Sequence, residues 1–232
     1  SSRHADTPQI DTPHARRRVS LADYEYADLI DDQDKVRMLI DPTSSYAMAA
    51  AAAMGRAMDD VIISAALGNA FTGETGSTTT GFSSDNQIAN GSADMSVAKL
   101  IQAKKILDLA DVDPSIPRYI AVGPNQIEAL LNTTSVTSSD FNTVKALVQG
   151  DVDTFMGFKF IVTNRLSLAS NIRSCFAWAE DGIALGIGKD VSARIDERAD
   201  KGYATQVYYC MSVGATRMEE SKIVQIDCDE SA

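Results

Sequence analysis

The sequence predicts an α+β protein whose largest elements are one long helix and one long strand. Residues 41–68 ("DPTSSYAMAAAAAMGRAMDDVIISAALG") contain no proline after the second position, and about 25 helical residues would form a rod of about 38 Å. Residues 203–215 ("YATQVYYCMSVGA") alternate apolar and polar side chains, which is typical of a half-buried strand. At about 3.3 Å per residue this strand would reach about 43 Å, roughly twice the usual length. Together the two elements indicate an elongated, plate-like body.

The long helix has recognisable end signals. Asp41 suits the N-cap, Pro42 suits the first helical position, and Gly68 suits a left-handed C-terminal cap. One face carries small or flexible apolar side chains that allow a sheet or a second backbone to approach closely. These close-packed positions are Ala50, Ala53, Met54, Ala57, Met58 and Val61.

Shorter elements alternate along the rest of the chain. The pattern predicts a surface loop at 71–91, a helix at 96–110 capped by Ser96, a strand at 119–122, a helix opened by Pro124, a helix at 141–150, strands within 157–166 and 175–188, and a last strand after a turn at 219–221. Alternation of helices and strands in the middle of the chain indicates a mixed α/β layer structure.

Composition limits the possible functions. The 232 residues carry a net charge of −11 with a pI near 4.6, so broad electrostatic attraction to nucleic acid or an anionic membrane is not expected. No apolar run reaches the ~20 residues that a membrane span needs. The three cysteines (Cys175, Cys210 and Cys228) have no metal-binding spacing, fit a reducing compartment and are expected to be packing residues.

The residues needed for common catalytic sites are missing. The only histidines, His4 and His14, lie in a proline-containing N-terminal arm, where a catalytic base or a zinc ligand is not expected to be held in place. Residues 181–190 ("DGIALGIGKD") resemble a phosphate loop, but the glycine spacing is wrong and Asp190 stands where a hydroxyl is needed. The sequence therefore predicts no catalytic residue, no cofactor and no metal, and no enzymatic activity.

In the N-terminal arm, a basic segment is followed by an acidic one. Three arginines at 16–18 precede an acidic stretch that begins at Asp23, and they either form a solvated run or dock on a neighbouring acidic surface. On the second interpretation, the candidate inter-subunit residues are Arg16, Arg17, Arg18, Tyr24, Tyr26, Asp31 and Asp32.

Several segments, in this order, resemble the major capsid proteins of tailed bacteriophages, which have the Hong Kong 97 fold. They are "RRRVSLADYEYADLIDDQDKVRMLIDP", the small-residue helix with "GRAMDD", "RYIAVGPNQIEALL", "FMGFKFIVTNRL" and "YATQVYYCMSVGATRMEESKIVQI". The resemblance implies an N-terminal arm and extended loop at 1–40, a peripheral domain at 41–95 with the spine helix, an axial domain at 96–189, and long peripheral strands at 190–232. It also implies that the alanine face of the helix lies on a sheet made largely by residues 191–228.

The resemblance further implies a structural function. Copies of the chain would form hexamers and pentamers of an icosahedral shell that encloses double-stranded DNA without sequence-specific contact, with scaffold, portal and decoration proteins as possible further partners. The shell would assemble in the cytoplasm of a bacterial host and remain as the virion capsid. An encapsulin-type nanocompartment, which uses the same fold around a protein cargo, is the alternative, and a monomeric α/β enzyme is a more distant one.

Overall fold

The computed structural model describes residues 14–31, 43–132 and 154–231. These ranges contain three α-helices: α1 (Thr43–Leu67), α2 (Val97–Leu109) and α3 (Pro124–Asn132). They also contain thirteen strands: β1 (Arg17–Arg18), β2 (Ala22–Ile30), β3 (Ala70–Thr72), β4 (Thr78–Thr80), β5 (Gln87–Ile88), β6 (Arg118–Val122), β7 (Thr154–Phe155), β8 (Phe158–Val162), β9 (Leu168–Ala169), β10 (Ile172–Ala179), β11 (Ile183–Arg198), β12 (Ala204–Arg217) and β13 (Ile223–Asp229).

The long helix packs on a three-stranded antiparallel sheet with strand order β11–β12–β2, here called the long sheet. The helix has 25 residues, and β11 and β12 have 16 and 14, so all three elements are unusually long. Met54 of the helix is buried against Met211 and Val213 of β12, and Ala50 is also fully buried. Ala57, Met58 and Val61 of the helix pack on the same cluster.

The predicted close-packed face of the long helix is only partly buried. Ala53, Ala57, Met58 and Val61 are half-buried. The alanines at 49, 51 and 52 are exposed, as is Met48. Within the described residues, the close contact with the long sheet is therefore confined to one narrow stripe of the helix.

The ends of the helix differ from the prediction. Asp41 and Pro42 lie outside the described residues. Gly68 donates its backbone N–H to the carbonyl of Ser64 at 2.9 Å, but it is not among the glycines with positive φ, so the predicted left-handed cap is wrong. A Cβ at Gly68 would lie 2.4 Å from the Ser64 oxygen, so glycine is needed here for close backbone approach.

A mixed seven-stranded sheet is the largest sheet of the described residues. Its order is β5–β13–β10–β6–β8–β7, with β9 on β10; β6–β8 and β13–β5 are parallel and the other pairs are antiparallel. Helix α2 buries Leu100, Ala103 and Leu107 in the main hydrophobic core. The Ser96 hydroxyl caps this helix by accepting the Lys99 N–H at 3.4 Å, as the sequence predicted.

Two strands lie in places that the sequence did not predict. β13 pairs with β10 in the seven-stranded sheet, whereas the resemblance implies that residues 190–232 form the long peripheral strands. β11 begins at Ile183 and crosses the expected boundary between 189 and 190. A 3₁₀ turn at Glu220–Lys222 redirects the chain from one sheet to the other. Alternating side chains define the faces of a strand but not the sheet that it joins.

The glycine-rich segment 71–91 contains a hairpin rather than only a surface loop. β3 pairs with β4, and β1 adds to the other edge of β3. Gly73 and Gly76 in the connection have φ of +92° and +68°, which side chains with a Cβ rarely adopt. The stretch that resembles a phosphate loop begins in a 3₁₀ turn at Glu180–Gly182 and continues as the first part of extended β11. The predicted helix at 141–150 lies outside the described residues.

Candidate assembly surface

The tyrosines predicted to contact another subunit face the helix of their own chain. Tyr24 and Tyr26 of β2 pair with Met211 and Tyr209 of β12, and both pack on the cluster around Met54. The Tyr26 pKa is raised by burial and by neighbouring Asp28, whose carboxylate accepts the Tyr26 hydroxyl at 3.4 Å. Both side chains are half-buried, so their apolar faces are already used within the chain.

The arginines of the arm are also largely engaged within the chain. The Arg17 guanidinium donates to both Glu220 oxygens at 2.9 and 2.7 Å and to the Met218 carbonyl at 2.9 Å. Arg18 donates to the Thr75 carbonyl at 3.1 Å. Arg16 is exposed, and so is Asp31 at the end of β2. Asp32 lies outside the described residues.

A buried arginine at the end of β12 joins the long sheet to the end of the long helix and to β4, and sequence reasoning missed it. Arg217 is fully buried and donates to the carbonyls of Ala66 at 3.1 Å, Gly68 at 2.7 Å and Thr80 at 3.3 Å. Its guanidinium carbon lies 5.1 Å from the centre of the Phe82 ring. Burial lowers the pKa of Arg217, and the nearby Glu220 carboxylate opposes that shift.

Glu220 is shared by two arginines. It accepts two hydrogen bonds from Arg17 and forms an ion pair with Arg217 at 3.5 Å. Glu220, in the turn between the long sheet and the seven-stranded sheet, therefore links the N-terminal arm to the arginine that holds the end of the long helix. The arrangement fixes the orientation of the arm relative to the body.

Two further ion pairs join segments that are distant in the sequence. Arg165, in the connection after β8, forms a bidentate pair with Asp60 of the long helix, and this hydrogen bond lowers the Asp60 pKa. Arg173 of β10 pairs with Glu230 after β13, and the same kind of bond lowers the Glu230 pKa. Both pairs join segments more than fifty residues apart in the sequence.

The outer strand of the long sheet carries an exposed apolar surface. β11 lies at one edge of the sheet, no other strand of the described residues pairs with its outer edge, and none of its sixteen side chains is fully buried. We call its four large exposed apolar residues the edge surface: Leu185, Ile187, Val191 and Ile195. A long edge strand with exposed apolar residues is a site where another chain can pair or pack.

The described residues contain no group of side chains of the usual metal-binding kinds. No group of three or more His, Cys, Asp or Glu residues within 14–31, 43–132 and 154–231 could hold a metal ion. His14 is exposed and His4 lies outside the described residues. In the same part of the chain, no helix has both the length and the apolar character needed to cross a membrane.

The pairing of a long helix with a long sheet, beside a mixed α/β sheet, defines a capsid-shell fold of the Hong Kong 97 type. The capsid of cyanophage P-SCSP1u matches with a TM-score of 0.68 at 15% identity, over 98% of this chain and 80% of that chain. The capsid of Ralstonia phage GP4 matches with a TM-score of 0.67 at 11% identity, over 92% and 74%. The holo-SrpI encapsulin complex from Synechococcus elongatus matches with a TM-score of 0.56 at 9% identity, over 92% and 75%.

The family follows from the sequence itself. The chain belongs to the phage capsid protein family, whose model matches residues 1–230. None of the curated proteins matches it. The resemblance to major capsid proteins of tailed phages is thus confirmed, and the chain is a structural protein of a phage capsid.

Proposed function

We propose that this chain is the major subunit of an icosahedral shell, and that copies of it close into hexamers and pentamers around double-stranded DNA. The observation that carries the proposal is the edge surface. Four large apolar side chains on one long strand with an unpaired outer edge cost free energy in water, and burial against a second copy recovers roughly 25 cal/mol per Å². Many such contacts around a closed shell stabilise the particle even where each one is weak.

The charge of the chain supports a container rather than a DNA-binding wall. A net charge of −11 repels phosphates, so the enclosed genome is held by closure of the shell and not by sequence-specific contacts. In this proposal the long helix and long sheet form the peripheral part of each subunit, the seven-stranded sheet forms the axial part, and assembly takes place in the bacterial cytoplasm. Scaffold, portal or decoration proteins would be further partners.

The proposed contacts between subunits differ from those predicted from the sequence. Arg16 and Asp31 remain candidates because both are exposed at the ends of the N-terminal segment. Arg17, Arg18, Tyr24 and Tyr26 have partners within the chain and serve instead to position that segment. The edge surface takes their place as the main candidate for contact.

The test is a double substitution, Ile187→Asp with Ile195→Asp, at residues that are 53% and 50% exposed. Exposed positions tolerate such changes in the isolated fold, but two carboxylates cannot be buried unpaired in a contact between copies. We expect a folded variant that forms no shells in negative-stain electron microscopy and sediments as a small species.

The matched control is Ile101→Asp on helix α2, where the isoleucine is 52% exposed but lies outside the edge surface. The control is expected to assemble like the wild type. Shells from the double variant, or equal loss of assembly in the control, would contradict the role given to β11. Purified shells that hold one protein cargo and no DNA would favour the encapsulin alternative.

A further inference from the structure

The pairing of β11 with β12 is irregular in the middle of β11. Ile187 lies opposite Val213, Lys189 opposite Ser212 and Ser192 opposite Cys210, so β11 has extra residues on both sides of Lys189. Such bulges interrupt the ladder of backbone hydrogen bonds. A cluster of side chains connects the two strands at this place instead.

Cys210 lies at the centre of that cluster. The Lys189 Nζ is 2.9 Å from the Cys210 Sγ, and the Ser192 Oγ is 3.0 Å from it. The thiol is only 7% exposed, so it is accessible to small oxidants rather than to bulky reagents. Tyr208 donates its hydroxyl to the Glu25 carboxylate at 3.0 Å. This hydrogen bond is the main reason why the Tyr208 pKa is raised to about 12. Tyr208 therefore remains a neutral hydrogen-bonding group beside the thiol.

The three cysteines differ in their reactivity. The Lys189 ammonium and the Ser192 hydroxyl lower the pKa of Cys210, which favours the reactive thiolate. Cys175 and Cys228 lie fully buried in the main core, and hydrogen bonding to Cys175 and burial raise the pKa of Cys228. Oxidation is therefore expected at Cys210 first.

We propose that Lys189 and Cys210 are joined by a covalent nitrogen–oxygen–sulfur bridge when the protein is exposed to dioxygen. The 2.9 Å separation places the lysine nitrogen and the cysteine sulfur where one oxygen atom can link them. This modification is independent of the proposed assembly function, because both residues belong to the same chain.

The atoms and electrons of this step balance. The ammonium–thiolate pair carries three hydrogens on nitrogen and none on sulfur. The O–O bond of dioxygen breaks, one oxygen atom forms the N–O and O–S bonds, and the other leaves as water with two of those hydrogens. Nitrogen and sulfur each lose two electrons, and dioxygen gains four. Two dithiol molecules supply the four electrons and four hydrogens that reverse the step, which gives amine, thiol, water and two disulfides.

The bridge would staple the edge strand to its neighbour at the point where backbone pairing is weakest. It would close a loop over a sequence separation of 21 residues and restrict the unfolded chain in the way that a disulfide does. Because β11 carries the edge surface, the staple would hold that surface in one geometry once the protein leaves a reducing environment.

The experiment is intact mass measurement of the full chain, purified without oxygen and then equilibrated with air. We expect the mass to rise by one oxygen atom less two hydrogen atoms, with loss of tryptic cleavage after Lys189 and with reversal by dithiothreitol. Lys189→Arg keeps the positive charge but removes the primary amine, so it should not gain this mass. The matched control Lys201→Arg, on the exposed turn after β11, should gain it like the wild type.

Three results would overturn the proposal. The wild type could keep its mass in air, or Cys210 could gain oxygen while trypsin still cleaves after Lys189, or Lys189→Arg could show the same mass change as the wild type. The measurement on the wild type is decisive by itself, so it does not depend on whether a variant folds.

Discussion

The same substitution, alanine to leucine, at each of two adjacent positions of the long helix tests which face of the helix is packed. Ala50 is fully buried, whereas Ala51, the next residue of the helix, is exposed. Leucine adds three carbon atoms to alanine, and both residues are good helix formers. The difference between Ala50→Leu and Ala51→Leu therefore reports packing and not helix propensity.

The expected magnitudes follow from burial. Ala50→Leu forces the added volume into a filled contact and should lower the free energy of unfolding by about 1–3 kcal/mol. Ala51→Leu places the same atoms in solvent and should change it by less than about 0.5 kcal/mol. Ala53 is half-buried, so leucine there should have an effect between these two.

Urea unfolding of the dissociated subunit, followed by circular dichroism, measures both values under the same conditions. The midpoint should fall for Ala50→Leu while the slope of the transition stays unchanged. Equal midpoints for the two variants, or a larger loss for Ala51→Leu, would refute the assignment of the packed face.

Three further changes test the charged contacts and the close backbone approach. Arg217→Met removes the donors to one buried and two partly buried carbonyls and should cost about 3 kcal/mol or more in the same urea assay; a loss below about 1 kcal/mol would show that water replaces them. Glu230 has a lowered pKa because Arg173 donates to it, so its contribution is present above its ordinary pKa of about 4.3 and is lost as pH falls through the lower folded value. Glu230→Gln should accordingly flatten the fall of stability in that acid range, and an unchanged slope would argue against this pair. Gly214→Ala should disturb the N-terminal segment, because a Cβ there would lie 2.2 Å from the Ser20 carbonyl; unchanged hydrogen exchange of residues 17–21 would contradict this.

The sequence predicts the main elements because their signals are local. Alternating side chains at 207, 209, 211 and 213 mark β12, and the Ser96 hydroxyl marks the start of α2. The long helix follows from its length without proline. Each of these features depends on residues that are neighbours in the chain.

Pairing and polar contacts could not be predicted, because they depend on residues far apart in the sequence. A charged residue at the end of β12 suggests a solvated position. Arg217 is nevertheless buried, because carbonyls at the end of the long helix accept its hydrogen bonds. The sequence predicts that Cys210 is a packing residue, but two shifts of register in β11 bring Lys189 beside it. The sequence predicts that Tyr24 and Tyr26 contact another subunit, but within the chain both pack against the cluster around Met54.

Cryo-electron microscopy of the purified full-length chain, under conditions that favour association, shows directly whether copies complete the exposed edge of the long sheet. We expect closed icosahedral shells in which Ile187 and Ile195 of each copy are buried against a neighbouring copy. A uniform population of monomers, or shells in which β11 remains exposed to solvent, would contradict the proposed mode of assembly.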